Sequence, residues 1–246
     1  MQLSGDDKRP NEKKYSLAFE KFRGEFLGEI PDYAVRQGFS IHTLLALTKK
    51  EKEKATEILV SELQKGNTDA RILMGIQELK PIAAVEPLKK LLNEHPVQHL
   101  HHTIVNIALA LWLIEGYKES FGLITGILKN PSIESTMFLK DWQRQEEQNN
   151  WIEAMAALRF FRCRKTIEVL KECMRSENKF IRGQAMRYAL YICDVINDLI
   201  TYHPMQTLAF AADNPSVRKL IIEQFDNLTN NLEPLPVEPD FKEVKQ

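Results

Sequence analysis

The stretch that decides the fold runs from residue 151 to residue 196 and reads WIEAMAALRFFRCRKTIEVLKECMRSENKFIRGQAMRYALYICDVI. Apolar residues recur in it every three or four positions, which is the period of an amphipathic helix. Polar residues interrupt the period at 162–164 and at 176–178, so the stretch predicts successive helices joined by short turns. Helices that alternate with tight turns are typical of an α-solenoid. The sequence therefore predicts an all-α fold, a right-handed α-α superhelix.

An ungapped internal match supports a repeated unit. Ile76 and Leu158 stand 82 positions apart, and this offset holds two units of about 41 residues. Six apolar positions of one predicted hairpin fall in register with six of the other: Ile76, Leu79, Val85, Leu88, Leu91 and Leu92 match Leu158, Phe161, Ile167, Leu170, Cys173 and Met174.

Three segments carry a resemblance to a known repeat: Asp69-Ala70-Arg71 with Met74-Gly75 and Leu79, Trp151-Ile152-Glu153 with Ala156-Ala157 and Phe161, and Ile181-Arg182 with Ala185-Met186 and Leu190. On these residues the chain resembles HEAT-repeat proteins, in particular the short-repeat class that includes phycobilin-lyase-like repeats. The resemblance implies that an apolar-Arg pair opens the first helix of a repeat and that small residues let it pack closely. Glu153 departs from this pattern. The resemblance covers about residues 68 to 198 and implies a HEAT-like solenoid, while it says little about function.

Local signals place the helix ends around the repeats. Thr48 and Glu51 have the spacing of a capping box, and Gly66 follows as a stop signal. Pro204 and Pro215 each suit the first position of a helix, because the amide that proline lacks is unpaired there. Aromatic residues share one stripe of a first predicted helix: Tyr15, Phe19, Phe22 and Phe26.

These signals predict one domain with two unstructured ends. Residues 1–13 are charged and are predicted to be disordered. Residues 14–230 are predicted to form a single α-solenoid domain, with an N-terminal cap at about 14–66, repeats at about 68–198 and a C-terminal cap at about 203–230. A polar run at 143–150 predicts an insertion over 130–150, helical in part and outside the repeat. The prolines of residues 231–246 predict an extended tail.

Composition narrows the class of protein. The chain has 33 basic and 34 acidic residues, so no global charge marks a nucleic-acid or membrane-surface protein. Its three cysteines lie in helical patterns without C-x-x-C spacing, which favours reduced thiols. The longest apolar run, at 107–114, is about eight residues, whereas a membrane span needs roughly 20. We expect a soluble, cytoplasmic protein without a signal peptide; the sequence sets no oligomeric state.

Clustered histidines are the sharpest local signal for a metal. His95 and His99 are four residues apart, and His99 and His102 are three apart, so imidazoles on one helix could share an ion. Pro96 lies inside the first pair, however, and no cysteine accompanies the cluster. The alternative is a turn followed by the polar start of the next helix. We therefore expect no metal and no cofactor.

Basic residues dominate the stretch from Trp151 to Arg187. Aromatic neighbours such as Phe160 and Tyr188 make a nucleic-acid groove one interpretation. A DNA-glycosylase-like protein would also need a carboxylate beside an aromatic residue, for which Asp141 and Trp142 are the candidates. A solvated face or an acidic protein partner is the other interpretation. The basic residues are Arg159, Arg162, Arg164, Lys165, Lys171, Arg175, Lys179, Arg182 and Arg187.

The function that we infer from the sequence is protein binding. We found no phosphate-binding loop, nucleophile elbow or zinc-protease motif, so an enzyme is not expected. Residues 39–51, which lead into a long charged helix, are loosely similar to bacterial HEAT-repeat immunity proteins, and this similarity implies a toxin domain as the partner. Nucleic-acid binding is the alternative. The predicted partner-binding residues lie on second helices of the hairpins and on the insertion: Lys89, Lys90, Trp142, Glu168, Lys171, Glu172 and Arg175.

Overall fold

The computed structural model describes residues 15–28, 41–94, 101–129 and 141–240, with backbone only at 94, 129 and 141–147. Within these ranges all regular structure is helical, with twelve α-helices, one 3-10 helix and no strand. The predicted all-α class is confirmed. The segment 1–13, predicted to be disordered, lies outside the described residues, as do 130–140 of the predicted insertion.

The chain divides into two compact units, Met1–Ala84 and Val85–Gln246. The single domain predicted over 14–230 stays a prediction. The first unit contains α1 (Leu17–Leu27), α2 (His42–Leu45), α3 (Lys49–Gln64), α4 (Ala70–Leu79) and a 3-10 turn (Ile82–Ala84). In it α1 packs against α2, α3 and α4, and α3 packs against α4.

The aromatic stripe of α1 forms part of the core of the first unit. Phe19, Phe22 and Phe26 are buried, as the three- and four-residue spacing predicts. Tyr15 precedes the helix and is 43% exposed, and its ring stacks on Phe19 with centroids 4.3 Å apart. The stripe therefore anchors α1 to the unit while Tyr15 covers its outer end.

One carboxylate closes the N-terminal ends of two helices in this unit. The predicted capping box is present: Glu51 Oε2 accepts hydrogen bonds from the Thr48 backbone N (3.1 Å) and hydroxyl (2.8 Å). Its Oε1 accepts a hydrogen bond from the backbone N of Ser16, the N-cap of α1, at 2.9 Å. The bonds from Ser16, and then those from Thr48, lower the pKa of Glu51 to about 2. The starts of α1 and α3 therefore share one anion.

The second unit holds eight of the helices: α5 (Val85–Glu94), α6 (His101–Glu115), α7 (Glu119–Lys129), α8 (Asp141–Leu158), α9 (Arg164–Met174), α10 (Lys179–Ile192), α11 (Pro204–Ala211) and α12 (Pro215–Thr229). Here α6 packs against α5, α7 and α8, and α10 packs against α8, α9 and α11. Helix α9 also contacts α7 and α12. The predicted starts of α11 and α12 are confirmed, with His203 and Asn214 as side-chain caps before the two prolines.

The repeat positions found in the sequence are core positions in the structure. Of the twelve matched residues, Leu79 and Leu92 are half-buried and the others are buried. The six matched residues from Leu158 to Met174 belong to one continuous cluster contributed by α6 to α12. The matched spacing therefore reports side chains that pack inward in both units.

Helix α8 begins earlier than the sequence indicated. We expected a break before Trp151, but α8 runs without interruption from Asp141, and the polar run 143–150 forms its N-terminal half. Asn150, at the end of that run, is buried. Glutamine, glutamate and arginine are good helix formers, so this half needs no apolar stripe to remain helical.

Where side chains are described, three arginines are buried, and each binds carbonyl oxygens at helix ends. Arg71 donates to Glu25 O and Gly28 O at the end of α1. Arg218 donates to Arg175 O at the end of α9 at 3.1 Å. Arg182 is only 1% exposed, so its predicted place on a basic surface is wrong. Buried guanidinium groups here satisfy the terminal carbonyls that a helix leaves unpaired.

Candidate functional site

Four of the seven predicted partner-binding residues lie on the outer face of α9. The helix buries Ile167, Leu170, Cys173 and Met174, which turns the intervening polar positions outward. Among those positions Glu168, Glu172 and Arg175 are exposed, and Lys171 is half-buried. The structure thus brings these four residues together on one helix.

Most of the charge on this face has an intramolecular partner. Lys171 forms an ion pair with Asp226 of α12, and its ammonium lies 6.0 Å from the ring centroid of Phe225. Glu172 and Arg175 form an ion pair with each other. Lys171 therefore joins α9 to α12, and less of its charge is available to a partner protein.

The other three predicted residues lie on other helices of the unit. Lys89, on α5, forms an ion pair with Glu115 of α6 at 2.8 Å, and this hydrogen bond raises the pKa of Lys89. Lys90 is exposed on the same helix. The backbone of Trp142 belongs to α8, but its side chain and that of Asp141 lie outside the described residues.

The basic stretch does not form a continuous cationic surface. Arg162 pairs with Asp194, and Lys165 pairs with Glu238 at 2.7 Å. Arg159 and Lys179 lie over the rings of Phe160 and Phe180. Lys171 and Arg175 are also paired with carboxylates, and Arg182 is buried. Much of the positive charge that the sequence predicted for this surface is therefore neutralised.

Helix α12 carries an exposed apolar stripe that sequence reasoning missed. It buries Ile221, Ile222 and Phe225, yet Val217, Leu220 and Leu228 are 38%, 56% and 41% exposed. These three residues recur at helical spacing on a second flank. Its signal in the sequence is that apolar residues cover more of this helix than one buried face requires.

The predicted C-terminal tail has no helix at residues 233–240, and it lies against the start of α9. The backbone N of Arg164 donates to Pro236 O at 2.8 Å, and the backbone N of Lys165 donates to Val237 O at 3.3 Å. Pro239 is buried, and Leu235 is half-buried against the core. Beside this tail an open cleft of about 540 Å³ is lined by Trp112, Phe160, Phe161, Arg162, Leu235, Pro236, Pro239 and Asp240.

The remaining candidate groups are the clustered histidines and the three cysteines. His101 and His102 are the first residues of α6, whereas His95 and His99 lie outside the described residues. Where side chains are described, no group of three or more histidine, cysteine, aspartate or glutamate residues could hold a metal ion. All three cysteines are free, and burial raises the pKa of Cys173 to about 12 and that of Cys193 to about 11.

Across the described ranges, none of the helices combines the length and the apolar composition needed to cross a membrane. Compared with protein-family models, with curated proteins and with solved structures, the chain matches none of them.

Proposed function

We propose that this chain works by binding another protein through the surface that α9 and α12 form in the second unit. The observation that carries this proposal is the exposed stripe of Val217, Leu220 and Leu228. Exposed apolar side chains on one flank of a helix, with charged residues around them, are typical of protein-binding surfaces. Charged residues of α9, including Glu168, Glu172 and Arg175, supply polar groups on the neighbouring helix.

Within the proposal the helices of the second unit stack as HEAT-like hairpins in a right-handed solenoid. Its support is an alternation in the packing. Helices α6, α8 and α10 contact one another in succession, as the first helices of stacked hairpins would, and α7, α9 and α12 do the same as second helices. Nearest-neighbour stacking of this kind is the basis of solenoid folds. The second helices would then carry the partner.

The specific role that we propose is that of an immunity protein, which inhibits a cognate bacterial toxin by covering its active site. The support is the loose similarity of residues 39–51 to such proteins, together with an exposed apolar stripe that could dock on a folded domain. In this role the second-helix surface would cover the toxin's catalytic cleft, and binding would need shape complementarity more than charge.

The test is site-specific photo-crosslinking of the full chain in its native host. A photoreactive phenylalanine analogue at position 220 should trap one recurrent protein, and the same analogue at the exposed Glu53 of α3 should not. The trapped protein is then purified and titrated against the chain by calorimetry. Leu220→Glu should weaken binding by at least about tenfold, as expected for a central apolar contact.

The matched control is Thr207→Glu, which adds the same charge at an exposed position on α11, outside the surface of α9 and α12. It should leave the affinity within about twofold, as is usual for a peripheral position. Equal trapping at positions 53 and 220, or equal loss in the two glutamate variants, would overturn the proposal.

A salt titration separates this function from nucleic-acid binding. Affinity for DNA falls steeply with salt, because each neutralised phosphate releases counterions. A complex built on the α12 stripe should change little between about 50 and 200 mM salt. Binding to duplex or single-stranded DNA that falls by orders of magnitude over this range would favour the alternative.

A further inference from the structure

Backbone carbonyls of the tail satisfy free amides at the start of α9, whereas a side-chain cap does so at the starts of α1, α3 and α10. The N-cap residue of α9, Cys163, makes no side-chain capping bond. The first two helical amides, of Arg164 and Lys165, instead donate to carbonyl oxygens of the tail. A polypeptide segment thus supplies acceptors that a capping side chain supplies elsewhere.

The bound segment is short and makes few contacts. Besides the two backbone bonds, Arg164 Nε donates to Leu235 O at 3.1 Å and Lys165 Nζ donates to Glu238 Oε1 at 2.7 Å. Its apolar anchors are the buried Pro239 and the half-buried Leu235. Segments with few buried contacts open locally at low free-energy cost. The tail can therefore leave this surface without unfolding the helices.

The aromatic wall of the cleft beside the segment has the character of a peptide-binding groove. Trp112 and Phe161 stack with ring centroids 4.5 Å apart, and Phe160, beside them in the cleft wall, is 39% exposed. Proline-containing extended peptides bind aromatic-lined grooves because they lose little conformational entropy. Lys165 adds a cation that selects an acidic residue in the peptide.

We propose that the start of α9 and the adjoining aromatic cleft form a docking site for an extended, proline-containing acidic peptide of another protein, which residues 235–240 occupy in cis. The peptide presents two consecutive carbonyls to Arg164 and Lys165, an apolar residue and a proline to the cleft, and a carboxylate to Lys165. The site is separate from the α12 stripe, so either proposal can fail alone.

The test uses the full chain labelled with 5-fluorotryptophan and a synthetic peptide of sequence LEPLPVEPD, which is residues 232–240. The fluorine resonance of Trp112, assigned with Trp112→Phe, reports the cleft. In the wild type the peptide competes with a tail whose effective concentration is on the order of millimolar. The double variant Leu235→Asp/Pro239→Asp removes both anchors, and it should bind the peptide at least about tenfold more tightly than the wild type.

A second pair of variants tests the backbone bonds. Arg164→Pro removes the amide that binds Pro236 O, while Cys163, at φ −150° and ψ 166°, already has the extended conformation that precedes proline. Proline suits the first helical position, so α9 should persist. Arg164→Ala removes the side-chain bond alone. In the double-variant background, Arg164→Pro should weaken peptide binding about three- to tenfold beyond Arg164→Ala.

The outcomes are distinct. A saturable shift of the Trp112 resonance with the expected order of affinities supports the site. Absence of a shift at millimolar peptide in a folded double variant overturns it, and so does equal affinity in wild type and variant. If the double variant does not fold, the single variant Pro239→Asp takes its place, and equal peptide affinity in that variant and in the wild type overturns the proposal. A concentration-dependent dimer of the wild type that the double variant lacks would assign the groove to a second copy's tail and overturn the assignment to another protein.

Discussion

Arg182 donates its Nε–H to the backbone carbonyl of Ala209 at 2.9 Å, near the C-terminal end of α11. The same guanidinium donates to Phe210 O at 3.1 Å and to the carbonyls of Ser176 and Glu177. One side chain thus satisfies carbonyls at the end of one helix and in the turn before another. Arg71 does the same at the end of α1 in the first unit.

Replacing Arg182 should destabilise the chain strongly. Arg182→Met fills similar volume but leaves these four carbonyls without donors in a buried place, so we expect a loss of about 2–4 kcal/mol in the free energy of unfolding. Arg182→Lys should not recover the lost stability, because an ammonium cannot reproduce the planar fork of donors of a guanidinium. Urea unfolding followed by circular dichroism gives the values. Arg175→Met, which breaks an exposed pair with Glu172, should cost at most about 0.5 kcal/mol. Similar losses in both methionine variants would contradict the role assigned to Arg182.

Close packing of α10 on α11 depends on Gly183. A Cβ atom added there would lie 2.0 Å from Cε2 of Phe210 and 2.6 Å from its Cζ. Gly183→Ala should therefore force the ring or the helix to move and cost about 1–3 kcal/mol. At Gly126, an exposed position within α7, an added Cβ meets no atom within 4 Å. Gly126→Ala should stabilise the chain by about 0.5–1 kcal/mol through helix propensity alone. Thermal unfolding gives the change in Tm for each variant, which should be negative for Gly183→Ala and positive for Gly126→Ala. A change of the same sign in both variants would refute this packing.

Acid should weaken the stabilisation that the Glu51 carboxylate gives to the starts of α1 and α3. The folded chain holds the pKa of Glu51 at about 2, below its ordinary 4.5, so the folded state favours the carboxylate. The resulting stabilisation is complete above about pH 4.5 and is lost as the pH falls toward 2. The difference in unfolding free energy between wild type and Glu51→Gln should therefore shrink over that range. Glu53→Gln, at an exposed position of α3, is the control and should show no such trend. A difference that stays constant down to pH 2 would disprove the depressed pKa.

The cysteines should react slowly in the native chain. Burial raises the pKa of Cys173 to about 12 and that of Cys193 to about 11, and Cys163 has no exposed surface. Because the thiolate is the reactive form, a disulfide reagent at pH 8 should react on the order of a hundredfold more slowly than with a free thiol. Denaturant should release all three thiols at once. A thiol of the native chain that reacts at the rate of a free thiol would contradict these pKa values.

Helix positions and ends were predictable where one interaction dominates. Thr48 with Glu51, and Asn214 with Pro215, combine a cap with a favourable first turn, and the structure has helices beginning at these places. The apolar spacing from Leu158 to Met174 marked core positions, because buried faces repeat with the helical period. The all-α class followed from such signals.

Other features depend on contacts that sequence spacing does not encode. The polar half of α8 carries no amphipathic pattern, so periodicity placed its start ten residues too late, at Trp151 and not at Asp141. Arg182 counted as a surface cation because its carbonyl partners on α11 lie far along the chain. The ion pair of Lys171 with Asp226 of α12 was likewise not visible in the spacing, and the partner-binding role of Lys171 stays a prediction. The docked tail left one signal in the sequence, the apolar Leu235 and Val237 within the proline-containing segment 234–239.

The hydrogen bond from Ser16 to Glu51 sets a boundary for any shortened form of the chain. Trimming through residue 16 would delete not only the start of α1 but also a donor that α3 uses to hold its own capping carboxylate. A truncation at the start of α1 would thus remove a hydrogen bond from Glu51, thirty-five positions downstream.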